Sequence, residues 1–370
     1  MSPSATDARL FNFSAGPAVL PLPVLRQAQE ELLAYPGAGC SVMEISHRDP
    51  VFLKILHDAQ QRVRQLLGIG DSHEVLFLQG GAKLQFSMVP ANLLRGSGKK
   101  AHYMVTGTWS KGAVGEAKKE GSIEKVWDGA ATNYDRLPAA AEYQIPADSA
   151  YLYYCSNETI QGVQFSSEPA CPAGVPLVCD ASSDFFSRPL SIEKYGILYA
   201  CAQKNAGPAG VTVVIIDRDL LPRGEEHLPG YLLYRNHAEN DSEWNTPPTF
   251  AIYMLGLVAR WLQEDIGGLA SMERINREKA AQLYAVVDAY PHLYQGHAAS
   301  EFRSMMNVTF RLPSEEVEGR FLKGAAEHAL VHLQGHRSVG GIRASIYNAM
   351  PKAGVDALAQ FMRDFARIAT

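Results

Sequence analysis

"ILYACAQKNAGPAGVTVVIID", residues 197–217, joins two apolar runs through a lysine and a Gly-Pro-Ala-Gly turn. Each run is hydrophobic without alternation, the pattern of a strand buried on both faces in a largely parallel, helix-covered sheet. Lys204 follows the first run directly, where an unpartnered ammonium would be costly to bury. The same texture recurs outward from this stretch. "EVLFLQ" (74–79), "AHYMVT" (101–106), "YLYYCS" (151–156) and "PLVCD" (176–180) are further continuous runs, alternating with helical patterns. The fold class read from this alternation is α/β.

Helices flank the runs. One is expected from Leu22 to about Tyr35, halted by Pro36-Gly37. Another starts with Asp49 as N-cap and Pro50 in the first turn, carries the stripe Ile55, Leu56, Ala59, Val63, Leu66 and Leu67, and closes at Gly68. The stretch 223–249 is polar and turn-rich, which suggests a functional loop or an interface arm. A helix follows from Thr249 to about Gln263, and Gly267-Gly268 opens a remainder with strands near 304–310 and 341–347. The expected division is a large domain over 1–264, with a loose lead at 1–10, and a smaller α/β domain over 265–370.

The chain has 370 residues, 46% hydrophobic and 20% charged, with a formal charge of −5. So mild an acidity argues against a nucleic-acid binder that relies on a basic face. No apolar stretch approaches membrane-span length, and "MSPSATDARLFNF" has no signal-peptide core, so a cytoplasmic protein with no membrane partner is expected. The five cysteines, Cys40, Cys155, Cys171, Cys179 and Cys201, include no CxxC pair and read as reduced core thiols.

In open α/β sheets ligands gather beyond the carboxyl ends of the strands. Those ends supply Gln79 to Lys83, Thr106 to Trp109, Ser156 to Thr159, Asp180 to Ser182, and Gln203-Lys204. "GGAK" (80–83) before an apolar helix suits a phosphate at a helix N-terminus, though an ordinary strand-to-helix turn has the same composition. Asp180 closes an apolar run and needs a cationic partner, either a structural one or a ligand nitrogen. Lys204 is a candidate nucleophilic amine, since a semi-buried lysine loses its charge readily. A phosphate cup, a buried carboxylate, Trp109 as a stacking plate and an amine are the parts that hold pyridoxal phosphate. Lys83, beside the cup, is the competing amine.

His328, His332 and His336 recur every fourth residue, but Gly335 is expected to end their helix, and no cysteine or carboxylate completes a metal set. No metal is assigned. "GHRSVGGIRAS" (335–345) presents His336, Arg337 and Arg343 as either an anion clamp or a solvated basic turn. "SVMEISHRD" (41–49) adds His47 and Arg48.

"FNFSAGPAVLP", "SVMEISHR", "YCSNETIQGV", "YACAQKNAGPAG", "NTPPTFAIY" and "GHRSVGGIRASIYNAMP" fall in order between about residues 11 and 351. Together they resemble the phosphoserine aminotransferase family, a class V branch of the fold-type I pyridoxal-phosphate enzymes. The resemblance implies a mostly parallel seven-stranded sheet and a cytoplasmic homodimer whose active sites are shared between subunits. It also implies reversible amino transfer from L-glutamate to 3-phosphohydroxypyruvate in serine biosynthesis, with a related reaction in pyridoxine biosynthesis in many bacteria. By the same resemblance Lys204 would carry pyridoxal 5'-phosphate and Asp180 would pair with its ring nitrogen. Trp109 would stack on the ring and Thr159 would bond near its hydroxyl. Ala82, Lys83, Ser182 and Gln203 would hold the phosphate, joined by Asn245 and Thr246 of the other subunit. Arg343 would clamp the substrate's α-carboxylate. His336 and Arg337, with the partner's His47 and Arg48, would bind its distal anion.

A cysteine desulfurase of this fold would need a nucleophilic cysteine late in the chain, and none follows Cys201. An alanine–glyoxylate type transaminase stays open on the core motifs. His336-Arg337 speaks against it, because only a substrate with a second anion requires that pair.

Overall fold

The computed structural model describes residues 9–369. The expected loose lead over 1–10 lies outside the described residues except for its last two. Seven strands form the main sheet: β1 (His73–Leu78), β2 (Ala101–Val105), β3 (Ile123–Asp128), β4 (Leu152–Cys155), β5 (Leu177–Asp180), β6 (Ile197–Cys201) and β7 (Thr212–Asp217). Their spatial order is β1-β7-β6-β5-β4-β2-β3. Only β7 runs against the others: it is antiparallel to β1 and to β6, and the remaining pairs are parallel. Every residue of β2, β4, β5 and β6 is buried, which is why these strands read as unbroken apolar runs. β3 lies at the sheet edge and is half exposed, so its sequence, IEKVWD, carries no such run and escaped recognition.

The helices of this part are α1 (Leu22–Glu31), α2 (Pro50–Leu67), α3 (Gly81–Leu93), α4 (Thr108–Ala117) and α5 (Thr249–Glu264). α2 starts as expected, with the Asp49 carboxylate accepting from Val51 N, and ends at Gly68 in the left-handed conformation (φ 64°). α1 is shorter than the expected 22–35. The chain leaves it at Leu32 and turns, and Tyr35 N donates to Cys40 O at 2.7 Å. One face of the sheet packs on α2 and α5, the other on α3 and α4.

α6 (Leu269–Ala289), α7 (Glu315–Glu327) and α8 (Lys352–Ala369) surround a second sheet containing β8 (Asn307–Arg311) and β9 (Ile342–Ser345). The N-terminal segment belongs to this second core: Phe11–Asn12 pair in parallel with Leu330–Val331, and Phe13 is fully buried among its side chains. The three-histidine helix is a misreading. α7 ends at Glu327, Ala329 takes a positive φ of 62°, and the chain is extended at 330–331, so His328, His332 and His336 share no helix face. Among the described residues no group of three or more His, Cys, Asp or Glu could hold a metal, and no helix is long and apolar enough to cross a membrane.

Candidate active site

Six of the seven strands point the same way, so the loops after β1, β2, β4, β5 and β6 meet at one edge of the sheet. They enclose a cavity of about 270 Å³. Its floor is Asp180, its side is Trp109, and Lys204 enters from the loop after β6. At the mouth lies the N-terminus of α3. Gly80 there has φ 86° and would place a Cβ 2.5 Å from Leu84, so the turn admits only glycine. No side chain caps α3, which leaves its first-turn N–H groups, including those of Ala82 and Lys83, available to an anion. A larger cleft, about 660 Å³ around Glu168 to Leu177, lies at the opposite edge of the sheet, where Lys194 and the Tyr195 hydroxyl are both already paired with Glu168, at 3.2 and 3.1 Å.

Lys204 Nζ donates to Thr159 Oγ1 at 2.9 Å and lies 5.4 Å from the centroid of the Trp109 ring. Burial opposes the ammonium, but Tyr347, Cys201 and Asp180 outweigh it and hold the pKa above the ordinary lysine value. The direction of this shift is opposite to that expected of an amine that loses its charge readily. Asp180, only 4% exposed, has its pKa raised by burial, against which the Ser182 hydrogen bonds and the Lys204 charge pull it down. Ser182 N donates to Asp180 Oδ1 at 2.9 Å, and Ser182 Oγ accepts from Cys201 N at 3.2 Å. Gln203 lines the same wall, and its carbonyl accepts from Ala18 N at 2.9 Å.

The donor set fits pyridoxal phosphate. An open helix end suits the phosphate, a buried carboxylate the ring nitrogen, an amine the aldehyde, and an aromatic face the ring. Trp109 Nε1 and Asn157 Oδ1 are buried without a hydrogen-bond partner at this place, polar atoms that a ligand would satisfy.

Ala82, Lys83, Trp109, Asp180, Ser182, Gln203 and Lys204 thus come together in one cavity, with Thr159 joined to it through Lys204. His336 and Arg343 line a second, narrow cleft of about 40 Å³ that begins at Ile160-Gln161, just past Thr159. Burial lowers the Arg343 pKa. Burial, then the nearby Arg343 and Arg337, lower that of His336, whose Nδ1 is 2.7 Å from Ser338 Oγ. Arg337 itself is exposed. Arg337 lies outside both cavities, as do Asn245, Thr246, His47 and Arg48. Asn245 and Thr246 are exposed beside Gln79, where Asn245 Nδ2 donates to Gln79 Oε1 at 3.2 Å and Gln79 Nε2 to Thr246 O at 3.1 Å. His47 and Arg48 lie in the field of Glu243, in the same arm as Asn245.

Three features were not read from the sequence. Asn157 and Ser183 line the cavity, and Asn157 Nδ2 donates to Ser183 Oγ at 2.8 Å and to Asn307 Oδ1 of β8 at 2.8 Å. Asn157 belongs to the polar cluster after β4 already noted in the sequence, and the signal for Ser183 was the polar run after β5. Cys155 and Cys201, taken as core thiols, are buried but also face this cavity. Lys279, in the middle of α6, donates to the carbonyls of Ile346, Tyr347, Asn348 and Met350 at 2.8–3.4 Å, and burial pushes its pKa down to about 7. It pins the segment leaving β9, which holds Tyr347, whose hydroxyl donates to Ala15 O at 2.8 Å. A lone lysine in a helical pattern gives no hint of this.

An open sheet with an amine, a carboxylate and an aromatic plate at its carboxyl edge defines a class, and the chain belongs to it: the class-V aminotransferase family model matches residues 10–358. Within that class the chain is similar to phosphoserine aminotransferases. It is 63% identical to that of Rhodopirellula baltica over 365 residues, 99% of this chain and 97% of the relative. Among solved structures, the phosphoserine aminotransferase of Bacillus circulans subsp. alkalophilus superposes with a TM-score of 0.95 at 46% identity, covering 98% of this chain and 99% of that one. The pyridoxal-phosphate-bound enzyme of Trichomonas vaginalis superposes with a TM-score of 0.91 at 41% identity, covering 96% and 100%.

Proposed function

We infer that the chain catalyses the phosphoserine aminotransferase reaction. It moves the amino group of L-glutamate to 3-phosphohydroxypyruvate, giving O-phospho-L-serine and 2-oxoglutarate, a step of serine biosynthesis, with pyridoxal 5'-phosphate as cofactor. The observation that carries this reading is the meeting of Lys204, Asp180, Trp109 and the uncapped start of α3 in one cavity. Near-full-length similarity to phosphoserine aminotransferases supports the substrate.

Bound there, the cofactor supplies an electron sink for negative charge at the substrate's α-carbon. The remaining work falls to the chain. Asp180 keeps a proton on the ring nitrogen, because a buried carboxylate favours the cationic partner. Trp109 covers one ring face and excludes water from it. Lys204 Nζ would be the amine that holds the cofactor and would take and return the proton at the substrate's α-carbon, with Thr159 Oγ1 orienting it. Backbone N–H groups of Ala82 and Lys83, with Ser182 and Gln203, hold the phosphate.

For the substrate, Arg343 receives the α-carboxylate, and His336 and Arg337 receive the phosphate of one substrate or the side-chain carboxylate of the other. His47, Arg48, Asn245 and Thr246 complete the site from a second copy of the chain. Their position outside both cavities of their own subunit supports a homodimer with shared sites, and the exposed Trp244, Met43 and Leu33 close to them in sequence support an interface there. The division at 264/265 is retained as a cofactor-binding unit and a smaller unit, with the strand at Phe11–Asn12 attached to the second. A cytoplasmic setting agrees with five unlinked cysteines.

Borohydride reduction of the cofactor-loaded protein should leave the cofactor on the peptide containing Lys204. Recovery on Lys83 would reverse the assignment, and no fixation would remove the reading. For the shared site, Lys204→Ala and Asn245→Ala chains refolded together should regain part of the activity that each lacks alone. A mixture no more active than its parents would sink the dimer claim.

A further inference from the structure

Two helix N-termini face the cofactor cavity, and only one is open. α3 has no side-chain cap, whereas α4 starts against Glu158, a carboxylate with 0% exposure. Glu158 Oε2 accepts from Trp109 N at 2.9 Å, and Oε1 accepts from Ser110 N at 2.9 Å and from Ser110 Oγ at 2.6 Å. The two backbone N–H groups can only donate, so the carboxyl group is fastened to the positive end of α4; burial pushes its pKa up, against the pull of these hydrogen bonds. The fit depends on Gly107. A Cβ there would stand 2.5 Å from Glu158 Cδ, while its φ of 174° is ordinary extended backbone. From the same turn, Gln161 Oε1 accepts from Thr108 N at 3.3 Å and Gln161 Nε2 donates to Thr108 Oγ1 at 2.9 Å. Thr159, between these two residues, takes the hydrogen bond of Lys204.

We propose that Glu158 is a positioning residue for the cofactor: by gripping the first turn of α4 it sets the Trp109 ring over Lys204, at the spacing that receives a planar ring. One short turn, 158–161, then places the stacking plate through Glu158 and Gln161 and the reactive amine through Thr159. With the first N–H groups of α4 taken by the Glu158 carboxyl group, α3 is left as the helix end that accepts the phosphate, which fixes the direction in which the cofactor lies. The inference rests on the pyridoxal-phosphate reading above. It differs from simple helix capping, because a cap acts on stability and not on the ring.

A double-mutant cycle on full-length protein tests it. Apoprotein is titrated with pyridoxal phosphate, and the dissociation constant and the circular dichroism of the bound cofactor are read for wild type, Glu158→Gln, Trp109→Ala and the double variant. Glu158→Gln keeps the shape but turns one acceptor into a donor facing a backbone N–H. It should weaken binding about tenfold, the scale of one stacking contact with its geometry lost, and reduce the cofactor's dichroism. The double variant should bind no more than about twofold worse than Trp109→Ala, since both changes remove the same contact. Additive losses, or unchanged binding in Glu158→Gln, would overturn the proposal. Ser314→Ala, which removes the side-chain cap of α7 away from the cavity, serves as the capping control. It should lower Tm yet keep the dichroism, and an equal loss of dichroism there would assign the effect to helix stability and overturn the proposal. If Glu158→Gln does not fold, Gly107→Ala displaces the carboxylate from the other side, and the same cycle with Trp109→Ala applies. Wild type that takes up no pyridoxal phosphate would fail the functional reading itself, a result separate from any pattern among the variants.

Discussion

Replacing Lys204 with alanine should lower turnover by about four orders of magnitude, the upper range for losing a positioned proton-transfer group. The protein should still bind pyridoxal phosphate, now without a covalent link, because Asp180, Trp109 and the start of α3 are untouched. Borohydride should then fix nothing. The structure adds a reason for so large an effect. Lys204 Nζ reaches Thr159, and the other lysine lining the cavity among the described residues, Lys83, lies in the first turn of α3 at the phosphate end. Small primary amines added to the variant should restore part of the rate, since an amine in solution can take the proton that Nζ handled. Turnover within tenfold of wild type would mean that another base works here.

Arg343→Ala should lower kcat/KM by about 2–5 kcal/mol, the cost of leaving one partner of a buried charge pair alone, or roughly 30-fold to a few thousand-fold. The loss should be similar for glutamate and for phosphohydroxypyruvate, because both present the same α-carboxylate. Arg337 is different. It is exposed in the subunit, so Arg337→Ala should cost about 1 kcal/mol or less, as solvent-screened pairs do. That loss should fall on the substrates' distal anion, so shortening the distal group should erase it. An Arg337 effect equal to that of Arg343 would show that a partner subunit buries Arg337, and equal rates in wild type and Arg343→Ala would remove the carboxylate clamp.

Much of the site is legible in the chain because burial leaves a written trace. Asp180 and Lys204 stand out since each follows an apolar run directly, and a charge in that place needs a partner. Glu158 stood in the same polar cluster as Thr159 but showed no role, because its partners, Trp109 and Ser110, are 49 and 48 positions away. β3 was hidden by its place at the edge, where Glu124 and Lys125 meet water and no residue is fully buried. The histidine spacing misled because periodicity says nothing about whether a helix continues, and the left-handed Ala329 ends this one.

By itself the sequence determined the α/β class, the caps of α2, and the side chains that end each buried strand. These are local consequences of desolvation: both faces of an interior strand must be apolar, and polarity returns where the strand meets the surface. Only the tertiary structure decided the rest. Reversal of β7 lets β6 and β1 flank it while both still point to the active edge. The N-terminal strand joins the far core through Phe13. The turn 158–161 meets the start of α4, so one helix end is closed and the other stays open. Each depends on contacts between residues distant in the chain, where short-range pattern carries no information and the geometry of packing does.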